Sequence, residues 1–285
     1  MSRRAFLRSC LALAALSALP AAVIAAPFRP SRLSVAVTGK GPDVILIPGL
    51  SSGRGVWNGT VAALPGYRYH LVQVAGFAGE PARGNAKGKV AASVAEEIAR
   101  YIADRRLDRP ALVGHSMGGT IAMMVAARFP HLAGKVMVVD MVPAATQLFG
   151  LPGAAPGPLA GFVRNELAGA AVVRRRLQSI AGRFGASDWL ASRNDPHVVA
   201  RSVEELMVTD LTPELSRIRA PLTVLYACPE PVSLTKAAID RVYLRAYAPH
   251  PGARLIRIAR SGHNIMADQP AVFQRMLRAF LAARE

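Results

Sequence analysis

Residues 111–119 read ALVGHSMGG, and the interpretation of the whole chain begins from them. An apolar, strand-like run precedes Ser116, and an Ala- and Met-rich, helix-like run follows it until Pro130. Gly114 and Gly118 flank the serine at a spacing that lets the backbone turn sharply while the serine is held in a strained conformation. This context predicts a nucleophile elbow with Ser116 as the nucleophile. The alternative is a polar residue in a glycine-rich turn, because G-x-S-x-G also occurs by chance.

Outside this stretch, apolar strand-like runs alternate with helix-like segments. One segment, residues 90–107, carries Val90, Val94, Ile98 and Ile102 at a four-residue step, which predicts one apolar helical face. Strands that alternate with helices favour a parallel sheet covered by helices on both faces. The sequence therefore predicts an α/β fold with a mostly parallel, doubly wound sheet. Its predicted strands are residues 43–49, 69–76, 110–114, 135–140, 221–227 and 253–259.

The pattern changes between about residues 141 and 211, a segment that we call the insertion. Short helical pieces are interrupted there by the runs LPGAAPGP and SRNDP, which are rich in turn-forming residues. The insertion separates two predicted strands and is long enough to cover a pocket. We therefore expect a small helical cap at about residues 141–211, within one domain that spans residues 27–285.

The beginning of the chain has the three-part pattern of an export signal. Arg3, Arg4 and Arg8 precede an Ala- and Leu-rich run, and small residues offer a cleavage site. The run SRRAFLR resembles the twin-arginine signal of bacterial export. A transmembrane anchor is the alternative, but the apolar run is shorter than the ~20 residues of a span and Pro20 interrupts it. We expect residues 1–26 to be a signal peptide, the twin-arginine machinery to be a partner of the precursor, and the protein to be periplasmic or secreted.

Charge and cysteine content argue against several other classes of function. The formal net charge is +17, and +14 remains without the three arginines of the signal, which contains no Asp or Glu. Basic residues are dispersed apart from the run at 174–176, and no basic motif is studded with aromatic residues, so no nucleic-acid partner is expected. Cys228 alone remains in the mature chain, so no internal disulfide is expected. No metal-ligand spacing or phosphate-binding loop occurs, so neither a metal nor another cofactor is expected.

Five motifs occur in an order that is typical of one known family. They are LIPGLSSGRGVW (46–57), GHSMGG (114–119), VVDMVP (138–143), APLTVLYA (220–227) and SGHNIMADQPAVFQRML (261–277). By these motifs the chain resembles the α/β-hydrolase superfamily, of the compact serine esterase type, over essentially the whole mature chain. The resemblance implies the α/β-hydrolase fold and a serine nucleophile, here Ser116.

A serine hydroxyl is a weak nucleophile until a general base takes its proton. The resemblance places the catalytic histidine after the last strand, where this sequence has His263 in SGHNIMADQP. His115 adjoins Ser116, but in a sharp elbow its side chain is expected to point away. The other histidines are interpreted as surface or structural residues; they are His70, His131, His197 and His250.

Two carboxylates compete for the third catalytic position, the acid that orients the histidine. Relatives most often carry an aspartate in the turn after the strand PLTVLYA, but this chain has CPEP there, which offers Glu230. The other position used in the superfamily is the end of the preceding strand, which carries Asp140. We favour Asp140 because its position in the strand is unambiguous, and Glu230 stays open.

Acyl transfer also needs donors for the negative charge of the tetrahedral intermediate. By resemblance these donors are the backbone N–H groups of Leu50 and Met117. Where many relatives carry His-Gly, this chain has Pro48-Gly49, which alters the surroundings of the Leu50 amide.

Together these residues predict a serine hydrolase that cleaves a small-molecule carboxylic ester through an acyl-enzyme. The same fold also hosts thioesterases, amidases or peptidases, carbon–carbon bond hydrolases and cofactor-free peroxidases, and the motifs do not separate them. Enzymes with an aspartate nucleophile, such as epoxide hydrolases, are disfavoured because the elbow carries Ser116. Outside enzymes, the alternative is a binding module on a hydrolase scaffold.

Overall fold

The computed structural model of the chain describes residues 29–149, 193–228 and 236–283. The predicted signal peptide, residues 1–26, lies outside these ranges, so export stays a prediction. Residues 150–192 of the insertion also lie outside them. Across the described ranges, none of the helices is long and apolar enough to cross a membrane.

Seven strands form one sheet within the described residues. They are β1 (Leu33–Gly39), β2 (Asp43–Ile47), β3 (Arg68–Val74), β4 (Ala111–His115), β5 (Lys135–Val139), β6 (Leu222–Cys228) and β7 (Arg254–Ala259). Their order across the sheet is β1-β3-β2-β4-β5-β6-β7. β1 runs antiparallel to β3, and every other neighbouring pair is parallel. The prediction of an α/β fold with a mostly parallel sheet is confirmed.

No predicted strand corresponds to β1, which lies at one edge of the sheet. Only Leu33 in this strand is fully buried, and Val37 exposes 53% of its surface. An antiparallel edge strand lacks the continuous apolar run of a parallel strand that is buried on both faces. The other six strands lie within two residues of the predicted runs, and five of them, β2 to β6, are mostly buried.

Seven α-helices are described in the same ranges. They are α1 (Asn58–Ala63), α2 (Ala91–Asp104), α3 (Met117–Arg128), α4 (Pro196–Val208), α5 (Lys236–Ala246), α6 (Ile265–Asp268) and α7 (Pro270–Ala282). The predicted four-residue step becomes α2, whose Val94, Ile98 and Ile102 are buried. Side chains of α2, α3 and α5 pack in the apolar core on one side of the sheet. Trp57 before α1 and Phe273 in α7 pack in the core on the other side, as a doubly wound sheet requires.

The two ends of the insertion lie beside each other at the domain core. Ala144 and Asp210 form an antiparallel bridge, and the Leu211 N–H donates to the Pro143 carbonyl at 3.1 Å. Between them, α4 begins at Pro196, where the Asp195 side chain accepts hydrogen bonds from two backbone N–H groups of the first turn. Asp195 and Pro196, the last two residues of the run SRNDP, therefore begin a helix.

The helix α4 lies within the segment predicted as a cap, and it packs on the domain core. Its buried apolar residues belong to the same core as α2, and they include Val198, Val203 and Leu206. The buried Glu205 carboxylate accepts hydrogen bonds from three backbone N–H groups at the start of α2, at distances of 2.6 to 2.8 Å. These N–H groups have no partner inside their own helix, so Glu205 caps α2 from a distant part of the chain.

Candidate active site

Ser116 lies at the carboxyl end of β4, directly before α3. Its backbone has φ +54° and ψ −123°, a combination that costs free energy for any residue with a side chain. The Ser116 N–H donates to the Val139 carbonyl at 2.9 Å, and the Ser116 carbonyl accepts from Gly119 N–H at 2.7 Å. These bonds to β5 and α3 hold the strained conformation that the motif predicted.

The glycines around Ser116 are required because the backbones of three elements meet there. A Cβ atom on Gly114 would lie 2.1 Å from the Gly118 carbonyl oxygen, and one on Gly118 would lie 2.2 Å from the Ile47 carbonyl oxygen. No side chain fits at either distance, so the motif allows α3 to approach both β4 and β2. This close approach fixes the position of Ser116 at the carboxyl end of the central strand β4.

Replacing Gly118 by alanine is expected to lower the free energy of unfolding by about 3 kcal/mol, since the new Cβ would meet backbone atoms that cannot rotate away. Chemical denaturation measures this change. Gly59→Ala is the matched control, because a Cβ at Gly59 in α1 meets nothing within 4 Å and alanine favours a helix. An unchanged denaturation midpoint for Gly118→Ala would contradict the close approach.

Asp140 and His263 form a largely buried hydrogen-bonded pair next to the elbow. The Asp140 Oδ2 and His263 Nδ1 atoms are 2.7 Å apart. Asp140 directly follows β5, where φ of +53° turns the chain, and its N–H donates to the Leu225 carbonyl at 2.7 Å. The structure therefore brings one of the two predicted acids to the predicted base. The other, Glu230, lies outside the described residues.

The second oxygen of Asp140 is held by two donors. Asp140 Oδ1 accepts from the Ala227 N–H of β6 at 2.8 Å and from the Tyr243 O–H of α5 at 2.9 Å. Burial acts to raise the pKa of Asp140, but the hydrogen bond and charge of His263, assisted by these two donors, outweigh it, so the pKa lies below its ordinary value. The carboxylate is thus charged, and His263 faces it through Nδ1.

His115 supports the loop that carries His263. Burial, together with the neighbouring His263, lowers the pKa of His115 to about 3, so its ring is neutral near pH 7. Its Nε2 lies 2.9 Å from the His263 carbonyl oxygen, which requires the proton of the neutral ring to be on Nε2. The centroids of the two imidazole rings are 4.7 Å apart. The sequence predicted only that His115 points away from the elbow. It did not show that the loop carrying His263 packs against the His115 ring.

The two predicted oxyanion donors lie on segments that border Ser116. A Cβ on Gly49 would lie 3.1 Å from the Ser116 Cβ, so the turn that contains Leu50 passes next to the serine. Met117 is the first residue of α3, and the first N–H groups of a helix have no partner within it. The assignment of both N–H groups to an oxyanion remains a prediction.

Sequence reasoning missed Tyr243, because no motif joins it to Asp140. The two residues are 103 positions apart, and Tyr243 is one of two buried residues in α5. Within the described ranges, no three His, Cys, Asp or Glu side chains come together as a metal site would require.

Comparison with known proteins identifies the family. A model of the alpha/beta hydrolase family matches residues 44–275. The pimeloyl-[acyl-carrier protein] methyl ester esterase of Aeromonas hydrophila is 29% identical over 262 residues, which cover 87% of this chain and 99% of that protein. The esterase of the same name from Nitrosomonas europaea is 24% identical and covers 85% of this chain and 96% of its own.

Solved structures share the fold at lower identity. An esterase from Exiguobacterium antarcticum has a TM-score of 0.69 and 20% identity, with 88% of this chain and 96% of that chain covered. A bromoperoxidase from Bacillus anthracis has a TM-score of 0.68 and 18% identity, with 88% and 95% covered. Since the family model also matches most of its length, the chain belongs to the alpha/beta hydrolase family.

Proposed function

We propose that this protein is a serine hydrolase that cleaves a carboxylic ester through an acyl-enzyme, with Ser116 as the nucleophile. The observation that carries the proposal is the 2.7 Å hydrogen bond between Asp140 and His263 Nδ1, which lies beside a strained serine at a strand–helix turn. A carboxylate on Nδ1 keeps a proton on that nitrogen and leaves Nε2 of the neutral ring as the base.

In the proposed reaction, Ser116 Oγ attacks the ester carbonyl while His263 Nε2 takes the hydroxyl proton. The N–H groups of Leu50 and Met117 donate to the oxyanion, and such a donor is typically worth ~3 kcal/mol of the barrier. Collapse breaks the bond to the alcohol, which leaves with the proton from His263. Water then gives a proton to His263 and attacks the acyl-enzyme; the acid is released, and the proton returns to Ser116 Oγ.

The names of the relatives support ester cleavage and leave the acyl and alcohol groups open. The Aeromonas and Nitrosomonas proteins are named methyl ester esterases that act on an acyl group carried by a protein. For this chain we propose a small-molecule ester, in keeping with the twin-arginine pattern of residues 1–26, which would export the enzyme to the periplasm or beyond.

A fluorophosphonate probe and a series of p-nitrophenyl esters from acetate to palmitate test the proposal. We expect the probe to attach to Ser116, as mapped by peptide mass spectrometry, and at least one ester to be hydrolysed with the same sensitivity to the probe. Labelling of Ser116 without hydrolysis of any ester would indicate that the enzyme cleaves another kind of acyl bond. No labelling and no hydrolysis would contradict the serine mechanism and favour a binding role.

A further inference from the structure

The hydrogen bond from Tyr243 to Asp140 is buried and reaches one particular carboxylate oxygen. Tyr243 exposes 3% of its surface, and its O–H lies 2.9 Å from Asp140 Oδ1, the oxygen that does not contact His263. Burial, reinforced by the nearby charge of Asp140, raises the pKa of Tyr243 well above its ordinary value. The phenol therefore keeps its proton and acts as a donor to the carboxylate.

Contacts that extend to the protein surface hold the Tyr243 ring in place. The ring stacks on Tyr226 of β6, with centroids 4.3 Å apart and planes at 19°. The Tyr226 O–H donates to Asp240 Oδ1 at 2.7 Å, and Asp240 Oδ2 accepts from Arg257 at 2.6 Å. Tyr243 thus approaches Asp140 in an orientation that neighbouring strands and α5 fix in advance.

We propose that Tyr243 is a positioning residue, which holds Asp140 Oδ1 so that Oδ2 faces His263 and which stabilises the negative charge of the carboxylate. The proposal rests on the proposed function of the Asp140–His263 pair, and it adds a side chain of α5 to the groups that support that pair. Tyr243 acts through Asp140 and does not touch the reacting atoms.

The hydrogen bond from Tyr243 lowers the pH at which the Asp140–His263 pair takes up a proton. A donor to the carboxylate favours the state in which Asp140 is charged and His263 is neutral, so removal of the donor makes the pair take up a proton at higher pH. Among the described residues, the titratable groups that face the pair are His115 from β4, Tyr243 from α5 and Tyr247 directly after α5. Tyr247 is oriented differently, because its O–H donates to the Met141 carbonyl at 2.7 Å.

The test compares Tyr243→Phe with Tyr247→Phe, which removes an equally buried hydroxyl one helical turn away. NMR follows the pH midpoint at which the ring signals of His263 titrate, a readout that needs no substrate. For Tyr243→Phe we expect the midpoint to rise by about half to one pH unit, since a hydrogen bond to a charged group is lost. The acid limb of kcat/KM should move in the same direction, with kcat lowered by at most about tenfold and KM unchanged. For Tyr247→Phe we expect no shift of the midpoint.

An unchanged midpoint in Tyr243→Phe, or an equal shift in Tyr247→Phe, would overturn the proposal even if the protein is an active esterase. Conversely, an inactive wild type would contradict the proposed function, while the NMR midpoints would still decide the role of Tyr243. If Tyr243→Phe does not fold, 3-fluorotyrosine incorporated at Tyr243 gives the opposite test. Its more acidic phenol is a stronger donor, so the midpoint should fall, and an unchanged or raised midpoint would overturn the proposal.

Discussion

Alanine in place of Ser116 should lower kcat for ester hydrolysis by about 10⁶-fold, close to the limit of detection. The variant lacks the oxygen that would form the acyl-enzyme, and the remaining N–H donors alone give slow turnover. The thermal unfolding midpoint should stay unchanged, because the backbone hydrogen bonds to Val139 and Gly119 do not involve the hydroxyl. Steady-state kinetics and calorimetry on the same preparation measure both quantities.

The control for this variant is Ser202→Ala. Ser202 is a fully buried serine in α4 whose Oγ donates to the Val198 carbonyl at 2.8 Å, and its removal should leave kcat unchanged. Turnover by Ser116→Ala at more than a small fraction of the wild-type rate would show that another group is the nucleophile.

Asparagine in place of Asp140 should lower kcat by about 10⁴-fold while the fold is retained. Ala227 N–H and Tyr243 O–H both donate to the Oδ1 position, so they select the amide oxygen of the asparagine for that place. The amide nitrogen then occupies the Oδ2 position and donates to His263 Nδ1. This fixes the His263 proton on Nε2, and that nitrogen can no longer accept the proton of Ser116.

Asp240→Asn is the matched control for this change. Asp240 also accepts a tyrosine hydroxyl, from Tyr226, but it pairs with Arg257 near the surface. We expect kcat for Asp240→Asn to stay within a few-fold of wild type, as is usual for a partly exposed ion pair. If the two variants lose activity equally, Asp140 does not orient the base, and Glu230 becomes the acid to test by substitution with glutamine.

The parts of the fold that sequence reasoning predicted are those with a strong local cause. Five of the predicted strands, β2 to β6, have apolar runs because the sheet buries most of their residues, and α2 has a regular apolar step. β1 was missed because an edge strand that is half exposed carries no such run. The contact between α4 and α2 depends on Glu205, whose partners lie more than a hundred residues away, and no local pattern encodes that pairing.

At the candidate site, residues within local motifs were predicted, and contacts between distant elements were missed. Ser116 and His263 occur within recognisable motifs, and Asp140 follows directly from the end of a clear strand. Tyr243 and the inward contact of His115 arise only when distant elements pack together. Sequence alone also left Asp140 and Glu230 as alternatives, since both positions are used in the superfamily and the choice depends on which carboxylate reaches His263.

The two ends of the insertion are paired, so the chain between them can change in length at little cost. The bridge between Ala144 and Asp210, with Glu205 on α2, brings the outgoing and returning chain together at the domain core. The ends of any segment grafted between these two points would already be held together, and the entropic cost of closing a loop rises only slowly with its length. We therefore expect residues 150–192 to tolerate changes in length without redesign of the elbow or of the Asp140–His263 pair.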